Sequence, residues 1–181
     1  SMGVAQGDGR IVHWKGQVPL DKDGQIVGAN DMHAQVRQTF DNIKAVLVVP
    51  HLQNPIGSVM PDAHKQRLVH LCESHGIALV EDDTYSDLVE SDTPLRALKS
   101  WDRTGNVIYC ASLHKVLAPG LRLGWICAGR WHAQVEMLKY AQTRNNEALA
   151  QIAAGEFIAG GRYDRHLRRL RERLHMQRDQ T

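Results

Sequence analysis

The sequence predicts an α/β protein with a mostly parallel sheet and flanking helices, and two observations support this prediction. Short, continuous apolar runs at residues 45–49, 77–80 and 107–111 are typical of parallel strands that are buried on both faces. Segments with helical spacing of apolar residues lie between these runs, and parallel strands need crossovers of this kind. The 181 residues suffice for one medium domain with a sizeable core.

The remaining elements follow from apolar spacing and from turn signals such as Asp-Lys-Asp-Gly and Gly-Gly. In chain order, the predicted elements are a strand at 18–24, a helix at 29–42, a strand at 45–49, a helix at 61–75, strands at 77–80, 107–111 and 121–128, and helices at 133–145, 147–159 and 162–178.

The helix at 61–75 carries signals at both of its ends. Pro61 favours the first helical turn, and Gly76 is placed to cap the last one. We expect the apolar stripe of this helix to consist of Leu68, Leu71 and Cys72.

The last predicted helix is strongly basic. Residues 161–181 contain seven arginines and three acidic residues, a composition that nucleic-acid and membrane surfaces share. Leu167, Leu170 and Leu174 recur at helical spacing and need a surface to pack against. We therefore expect a solvated basic face opposite a packed leucine stripe.

Composition argues against several classes of protein. Lys plus Arg is 22 and Asp plus Glu is 20, and this balance disfavours a whole-chain nucleic-acid binder. The longest apolar run is too short to cross a bilayer, and residues 1–9 lack the apolar centre of a signal peptide. We expect a cytoplasmic protein without membrane contact. Cys72, Cys110 and Cys127 form no Cys-x-x-Cys pair, so we expect buried free thiols and no metal site.

Four polar clusters lie where the predicted strands end or begin. Because ligands of open parallel sheets bind at the carboxyl ends of the strands, we expect these clusters to meet. Each cluster alone is weak evidence for a functional site, because Asn-Pro-x-Gly is commonly a turn and Ser-x-x-Lys also occurs in β-lactamases. The clusters are Gln53-Asn54-Pro55-Ile56-Gly57, Asp82-Asp83-Thr84-Tyr85, Ser112-Leu113-His114-Lys115, and Arg122 at the start of the last predicted strand.

In this order the clusters resemble the fold-type-I pyridoxal-phosphate enzymes, in particular the class I/II aminotransferases. The resemblance rests on residues 50–57, 81–85 and 112–124. Residues 115–124 and 163–170 are similar to the aminotransferase-like domain of MocR-type members of the GntR transcriptional regulators. The resemblance implies a partial large domain of the aspartate aminotransferase-like fold, with pyridoxal 5'-phosphate as cofactor.

The resemblance implies that Lys115 is the catalytic lysine that forms the internal aldimine with the cofactor. A Schiff base needs an amine that can lose its proton, and lysine supplies one. Asp82 resembles the aspartate that pairs with the pyridinium nitrogen, and it is preferred over Asp83 because the family spacing is Asp-x-x-Tyr. Tyr85 then resembles a donor to the phenolate oxygen of the cofactor.

Three more cofactor contacts are implied in the same way. Asn54 resembles a second donor to the phenolate oxygen, and Ser112 and Arg122 resemble ligands of the phosphate group. Two histidines depart from the family pattern. His51 replaces a small hydroxyl residue, and we expect a loop residue in contact with water. His114 stands where the regulators more often have serine, and we assign it no role.

The resemblance also divides the chain. We expect a tag remnant and lead-in at 1–17, a partial large domain at 18–160, and a basic helix at 161–181 that leads towards a small domain. The family's phosphate loop, its carboxylate-binding arginine and the regulators' winged helix are not recognised here, so we expect weak cofactor binding or none, and no useful turnover, by these residues alone. The intact protein is expected to be a homodimer.

Three functions remain open from the sequence. The first is a DNA-binding transcriptional regulator that senses pyridoxal phosphate or an amino-acid adduct and contacts DNA through a winged-helix domain. The second is a free-standing aminotransferase that moves an amino group between an amino acid and a 2-oxo acid. The third is an unrelated parallel α/β binding domain, which leaves the order of the four clusters unexplained.

Overall fold

The structure, a computed structural model, describes residues 2–7, 10–15, 20–91 and 95–180. A two-stranded antiparallel sheet comes first in the chain, and a four-stranded sheet in the order β3-β4-β5-β6 follows. The strands are β1 (Met2–Gly7), β2 (Arg10–Lys15), β3 (Ala45–Val48), β4 (Ala78–Asp82), β5 (Val107–Ser112) and β6 (Gly124–Cys127).

Five helices accompany these strands in the described residues, together with four short 3-10 helices. The α-helices are α1 (Met32–Asn42), α2 (Asp62–Ser74), α3 (His132–Thr143), α4 (Ala148–Ala159) and α5 (Arg162–Asp179). The 3-10 helices are Ser86–Leu88, Leu98–Trp101, Pro119–Leu121 and Gly129–Trp131. The predicted α/β class with flanking helices is confirmed.

The direction of each strand decides where the polar clusters lie. β3, β4 and β5 are parallel, so their carboxyl ends share one edge of the sheet. β6 runs antiparallel to β5, with Ser112 opposite Gly124. The amino end of β6 therefore lies at the same edge as the carboxyl ends of the other three strands. This reversal brings the segment before β6, which contains Arg122, to the edge where the other clusters lie.

Most element boundaries agree with the prediction to within three residues, and the largest differences have local causes. Helix α1 begins at Met32 because the Asp31 carboxylate accepts the backbone N–H groups of His33 and Ala34, at 2.9 and 3.2 Å. β6 begins at Gly124 rather than at 121, because a 3-10 helix and a left-handed Arg122 precede it. Of the strand predicted at 18–24, residues 18 and 19 lie outside the described part, and Leu20 forms only an isolated bridge with Ile26.

The larger core cluster lies between the sheet and α2. It consists of Val48, Met60, Val69, Cys72, Ile77, Leu79, Leu98 and Val107. The buried stripe of α2 is Lys65, Val69 and Cys72, so the prediction of Leu71 was wrong, and that side chain is 47% exposed. The spacing of apolar residues could not indicate that this stripe contains a buried lysine.

A second core cluster anchors the two last helices. Leu167 of α5 and Ala154 of α4 pack against Leu113, Val116 and Leu123, which belong to the segment between β5 and β6. The predicted leucine stripe is therefore packed at Leu167, whereas Leu174 is 40% exposed.

Candidate active site

The edge of the sheet where β3, β4 and β5 end holds an open cavity of about 330 Å³. Its walls come from the end of β4, the end of β5 with the following turn, and the start of β6. The lining residues are Asp82, Thr84, Tyr85, Ser112, His114, Lys115, Arg122, Leu123 and Gly124.

The cavity brings together five of the six residues that the sequence singles out, and it does not include the sixth. The five are Asp82, Tyr85, Ser112, Lys115 and Arg122. Asn54 lies in the turn after β3 with an exposed side chain and is not part of the lining. Clusters separated by up to forty residues in sequence thus meet because parallel strands end at one edge.

Three successive acidic residues at the end of β4 are separated by the alternation of a strand. Glu81 and Asp83 are buried on the core side, 0% and 6% exposed, whereas Asp82 lines the cavity. Asp82 Oδ1 accepts hydrogen bonds from the backbone N–H and the hydroxyl of Thr84, at 3.2 and 2.5 Å. Thr84 therefore fixes the cavity carboxylate, and since none of the described residues forms a hydrogen bond with Oδ2 of Asp82, that oxygen remains available to a ligand.

The turn after β5 carries the lysine. Ser112 Oγ donates to the Leu123 carbonyl oxygen at 3.2 Å and accepts the backbone N–H of His114 at 3.1 Å, which ties the turn to the segment before β6. Lys115 is exposed, and among the described residues its ammonium group makes no hydrogen bond or ion pair. An amine without a partner in a cavity is free to act as a base or nucleophile once it loses a proton.

Arg122 places a guanidinium group at the same wall. Its backbone is left-handed, with φ 50° and ψ 31°, a conformation that costs an L-residue roughly 1–2 kcal/mol. Its Nη1 atom lies 3.4 Å from His114 Nδ1. The His114 Nδ1–H donates to the Pro119 carbonyl oxygen at 2.8 Å, because a carbonyl can only accept. The guanidinium is therefore a neighbour of this imidazole and not its hydrogen-bond donor.

Helix α5 supports two walls of the cavity from behind. His166 Nε2 donates to the Val116 carbonyl oxygen at 2.7 Å, directly after Lys115. Tyr163 donates its hydroxyl to Asp87 Oδ2 at 2.6 Å, and Arg171 Nε donates to the Asp87 carbonyl oxygen at 2.7 Å, two residues after Tyr85. One helix therefore holds both the turn that carries the lysine and the segment that carries the tyrosine.

His51 lies in the turn after β3, as expected, but it is buried, so the expectation of contact with water was wrong. The side chain is 1% exposed, and its Nδ1 lies 2.5 Å from Asp83 Oδ1. Its Nε2 lies 2.8 Å from the Nζ of Lys65, which is also 1% exposed. Tyr109 donates its hydroxyl to the second Asp83 oxygen at 3.0 Å. This chain of contacts, from Lys65 through His51 to Asp83 and Tyr109, is called the buried relay below.

The protonation pattern of the buried relay follows from its donors. An ammonium group can only donate, so Lys65 donates to His51 Nε2, and His51 Nδ1–H then donates to the Asp83 carboxylate. Lys65 also donates to Asp62 Oδ1 at 3.1 Å and to the Arg96 carbonyl oxygen at 2.8 Å. Every proton of the ammonium group therefore has an acceptor, which is the condition under which a buried charge is tolerated.

Two more groups near the site, one buried and one half-buried, have shifted pKa values. Burial raises the pKa of Glu81 to about 7, although the backbone N–H groups of Leu98 and Lys99, at 2.7 and 2.9 Å, act in the opposite direction. Burial also raises the pKa of Tyr109, and the neighbouring Asp83 carboxylate adds to that rise. Tyr109 therefore keeps its proton and serves Asp83 as a donor.

The cavity also contains four residues to which sequence reasoning gave no role. Thr84 and His114 belong to the polar clusters that were expected to meet, whereas Leu123 and Gly124 were not predicted as parts of the site. Gly124 has a signal in the sequence, because it interrupts an apolar run. A Cβ atom at Gly124 would lie 2.5 Å from the Ala111 carbonyl oxygen, so this close strand contact excludes side chains.

The three cysteines lie in different environments. All three thiols are free, but only Cys72 is buried as expected, and burial raises its pKa to about 11. Cys127 is exposed.

Within residues 2–7, 10–15, 20–91 and 95–180, no three His, Cys, Asp or Glu side chains gather as metal ligands would. None of the helices in the described part of the chain combines the length and the apolar character that a membrane crossing requires.

Comparison with known proteins adds independent information. The family model described as aminotransferase class I and II matches residues 17–181. The helix-turn-helix-type transcriptional regulator YjiR of Escherichia coli, described as uncharacterised, is 42% identical over 130 residues, which is 72% of this chain and 28% of that protein. Aromatic-amino-acid aminotransferase 1 of Thermococcus litoralis is 32% identical over 165 residues, or 90% of this chain and 40% of the enzyme.

Solved structures agree with the family model. The Pyrococcus horikoshii kynurenine aminotransferase, solved in complex with PMP, superposes with a TM-score of 0.67 at 32% identity, over 71% of this chain and 32% of that one. The multiple substrate aminotransferase of Thermococcus profundus superposes with a TM-score of 0.70 at 27% identity, over 88% of this chain and 40% of that one. The chain spans less than half the length of each of these relatives.

Proposed function

Because the chain belongs to the class I and II aminotransferase family, we propose that its cavity binds pyridoxal 5'-phosphate and that Lys115 bonds covalently to this cofactor. The observation that carries the proposal is the meeting of a carboxylate, a lysine and an arginine in one cavity, namely Asp82, Lys115 and Arg122. In the sequence, Lys115 follows Asp82 by 33 positions and precedes Arg122 by seven. Their meeting in the cavity is therefore not a consequence of sequence proximity.

The donor set of the cavity fits the functional groups of the cofactor. Arg122 offers a planar guanidinium fork, which suits a phosphate group. Asp82 offers a carboxylate with one oxygen free, which suits a protonated ring nitrogen. Tyr85 offers a hydroxyl for the phenolate oxygen. When bound, the cofactor supplies an electron sink for bonds at the substrate's amino-bearing carbon.

Asn54 is the one proposed contact that the cavity does not contain. Its side chain is exposed in the turn after β3, and the neighbouring Gln53 Nε2 donates to the Asn54 carbonyl oxygen. The proposal for Asn54 therefore rests on the family pattern alone, whereas the proposals for Asp82, Tyr85 and Arg122 also rest on their place in the cavity.

At the level of the whole protein, we propose an aminotransferase-like domain of a MocR-type transcriptional regulator. The helix-turn-helix-type regulators YjiR and YdcR of Escherichia coli match at 42% and 38% identity, over 72% and 73% of this chain, and support this choice. The domain would report the presence of the cofactor or of an amino acid or 2-oxo acid bound to it, as part of a cytoplasmic homodimer. DNA would be contacted by a winged-helix domain elsewhere in the protein.

A free-standing aminotransferase is the second candidate. The match to the Thermococcus litoralis enzyme, at 32% identity over 90% of the chain, supports it, but the helix-turn-helix-type regulator YisV of Bacillus subtilis also matches over 90% of the chain, at 29% identity. Both candidates use the same cofactor contacts, so the cavity does not separate them. A basic winged-helix segment encoded upstream in the same gene would support the regulator, and its absence would exclude it.

The test of cofactor binding is an absorbance titration with pyridoxal phosphate of the chain and of its Lys115→Ala variant. We expect a saturable visible band in the wild type that the variant lacks. Lys22→Ala, which removes an exposed lysine outside the cavity, is the matched control and should keep the band. Equal bands in the wild type and in Lys115→Ala would contradict the role of Lys115.

A further inference from the structure

His114 lies in the cavity, and the function proposed above does not use it. The imidazole lines the same wall as Lys115 and Arg122. Its Nδ1–H is already committed to the Pro119 carbonyl oxygen at 2.8 Å. Among the described residues, none forms a hydrogen bond with Nε2, so this nitrogen is the one left for a ligand.

The hydroxyl of Ser112 is a poor anion donor in this arrangement. A serine hydroxyl has one proton, and the Ser112 proton is directed to the Leu123 carbonyl oxygen at 3.2 Å. The oxygen also accepts the His114 backbone N–H at 3.1 Å. A phosphate group in the cavity therefore finds donors in the Arg122 guanidinium and, while it is not bonded to the cofactor, in the Lys115 ammonium, and His114 is a further candidate donor on the same wall.

The charges around His114 determine when its imidazole can supply that donor. The titratable and charged groups that share its cavity are Asp82, Tyr85, Lys115 and Arg122. Arg122 Nη1 is 3.4 Å from His114 Nδ1, so an anion held by the guanidinium lies close to the imidazole. A bound dianion attracts a charged imidazolium, whose Nε2–H can donate to it.

We propose that His114 is an anion ligand that takes up one proton from solvent when a phosphate group binds next to Arg122. The inference rests on the proposed function in that the phosphate would be that of the cofactor. With neutral His114 the free Nε2 is an acceptor and faces an anion unfavourably, whereas the protonated form donates from both ring nitrogens. Affinity for the anion is therefore highest at low pH and falls as pH rises through the titration of the imidazole.

The test uses sulfate as the probe, because sulfate stays doubly charged over the whole range in which histidine titrates. The histidine ring resonances of the chain are followed by NMR from pH 5 to 8.5, with and without sulfate, and the His114 signal is assigned by its absence from His114→Asn. We expect sulfate to move the His114 midpoint to higher pH. We also expect the sulfate dissociation constant to increase above that midpoint by at most roughly tenfold per pH unit.

The variant His114→Asn separates protonation from structure. Asparagine can still donate to the Pro119 carbonyl oxygen but cannot take up a proton. We expect its sulfate affinity to be weak and to change less than about twofold over the same pH range. His70→Ser, which removes an exposed histidine of α2 outside the cavity, should behave as the wild type does.

Several outcomes would overturn the inference. A His114 midpoint that sulfate leaves unchanged would do so, and this result uses a variant only to assign the signal. A pH dependence that persists in His114→Asn would also do so, as would the absence of any sulfate binding to the wild type. Failure of the proposed function would be seen in a different experiment, as the absence of a Lys115-dependent band with pyridoxal phosphate. The sulfate titration does not use the cofactor, so its result can be interpreted in either case.

Discussion

The Nδ1 atom of His51 lies 2.5 Å from Oδ1 of Asp83, and both side chains are buried. The two residues are 32 positions apart and belong to the turn after β3 and the end of β4. The contact therefore joins two neighbouring strand ends beside the cavity, and Lys65 of α2 extends it to a third element. Asp82, which lines the cavity, is the next residue along β4, so we regard the buried relay as the support of that wall.

Replacement of His51 tests the buried relay directly. In His51→Leu, Asp83 loses one of its two side-chain donors and Lys65 loses an acceptor, and breaking a buried charge network costs about 3–5 kcal/mol. In His51→Gln the amide can donate to Asp83 and accept from Lys65, so we expect most of the stability to remain. Urea unfolding of both variants checks this, and equal losses would contradict the assigned donor pattern.

Lys65 gives a second, independent prediction. Its ammonium group donates to Asp62, His51 and the Arg96 carbonyl oxygen while the side chain is 1% exposed. We expect Lys65→Met to destabilise the chain by roughly 1–3 kcal/mol, because it leaves the buried Nε2 of His51 without its donor. Lys44→Met, at an exposed position, is the control and should be near neutral. The measurement is again urea unfolding at pH 7.

Glu81 predicts a pH dependence of stability. Its pKa is raised to about 7 in the folded chain, mainly by burial, so the folded state holds a proton that the unfolded state releases near pH 4.5. The free energy of unfolding therefore decreases as pH rises from about 4.5 to 7, and the contribution lost is on the order of a few kcal/mol. In Glu81→Gln this decrease should be much smaller. Identical pH profiles for the two proteins would show that Glu81 is not the group responsible.

Helix α5 supports the Tyr85 segment through Tyr163. Tyr163→Phe removes the 2.6 Å hydrogen bond to the Asp87 carboxylate and leaves the ring in place. We expect a loss of roughly 1.5–3 kcal/mol, the range for hydrogen bonds to charged groups. Tyr140→Phe, which removes an exposed hydroxyl of α3, is the matched control. Thermal unfolding of both variants makes the measurement, and a loss in the control as large as in Tyr163→Phe would refute the assigned contact.

Replacement by alanine is expected to have opposite effects on stability at two glycines. At Gly129 the backbone φ is +57°, and a Cβ would lie 2.3 Å from the Gly105 carbonyl oxygen, so Gly129→Ala should destabilise by more than about 1 kcal/mol. At Gly155, inside α4, nothing lies within 4 Å of a Cβ, and Gly155→Ala should stabilise by roughly 0.5–1 kcal/mol. Chemical unfolding of both variants measures these changes in the free energy of unfolding. A Gly129→Ala variant as stable as the wild type would contradict the close approach of Gly129 to the Gly105 carbonyl oxygen.

The sheet and the clusters at its edge could be predicted because the signals are local. Continuous apolar runs indicate buried strands, and the side chains that follow parallel strands meet at one edge. The environment of His51 could not be predicted, because its partners Lys65 and Asp83 lie 14 and 32 residues away, and neighbouring residues do not indicate them. Burial of Lys65 in place of Leu71 has the same origin, since apolar spacing assumes that a charged side chain faces solvent.

The alternation of Glu81, Asp82 and Asp83 has a consequence for insertions and deletions. Removal of one residue from the middle of β4 would turn every following side chain to the opposite face of the sheet. The cavity would then receive a carboxylate that belongs to the buried relay, while Asp82 would enter the core without a cation. The spacing within this strand is therefore expected to tolerate length changes less well than it tolerates changes of residue type.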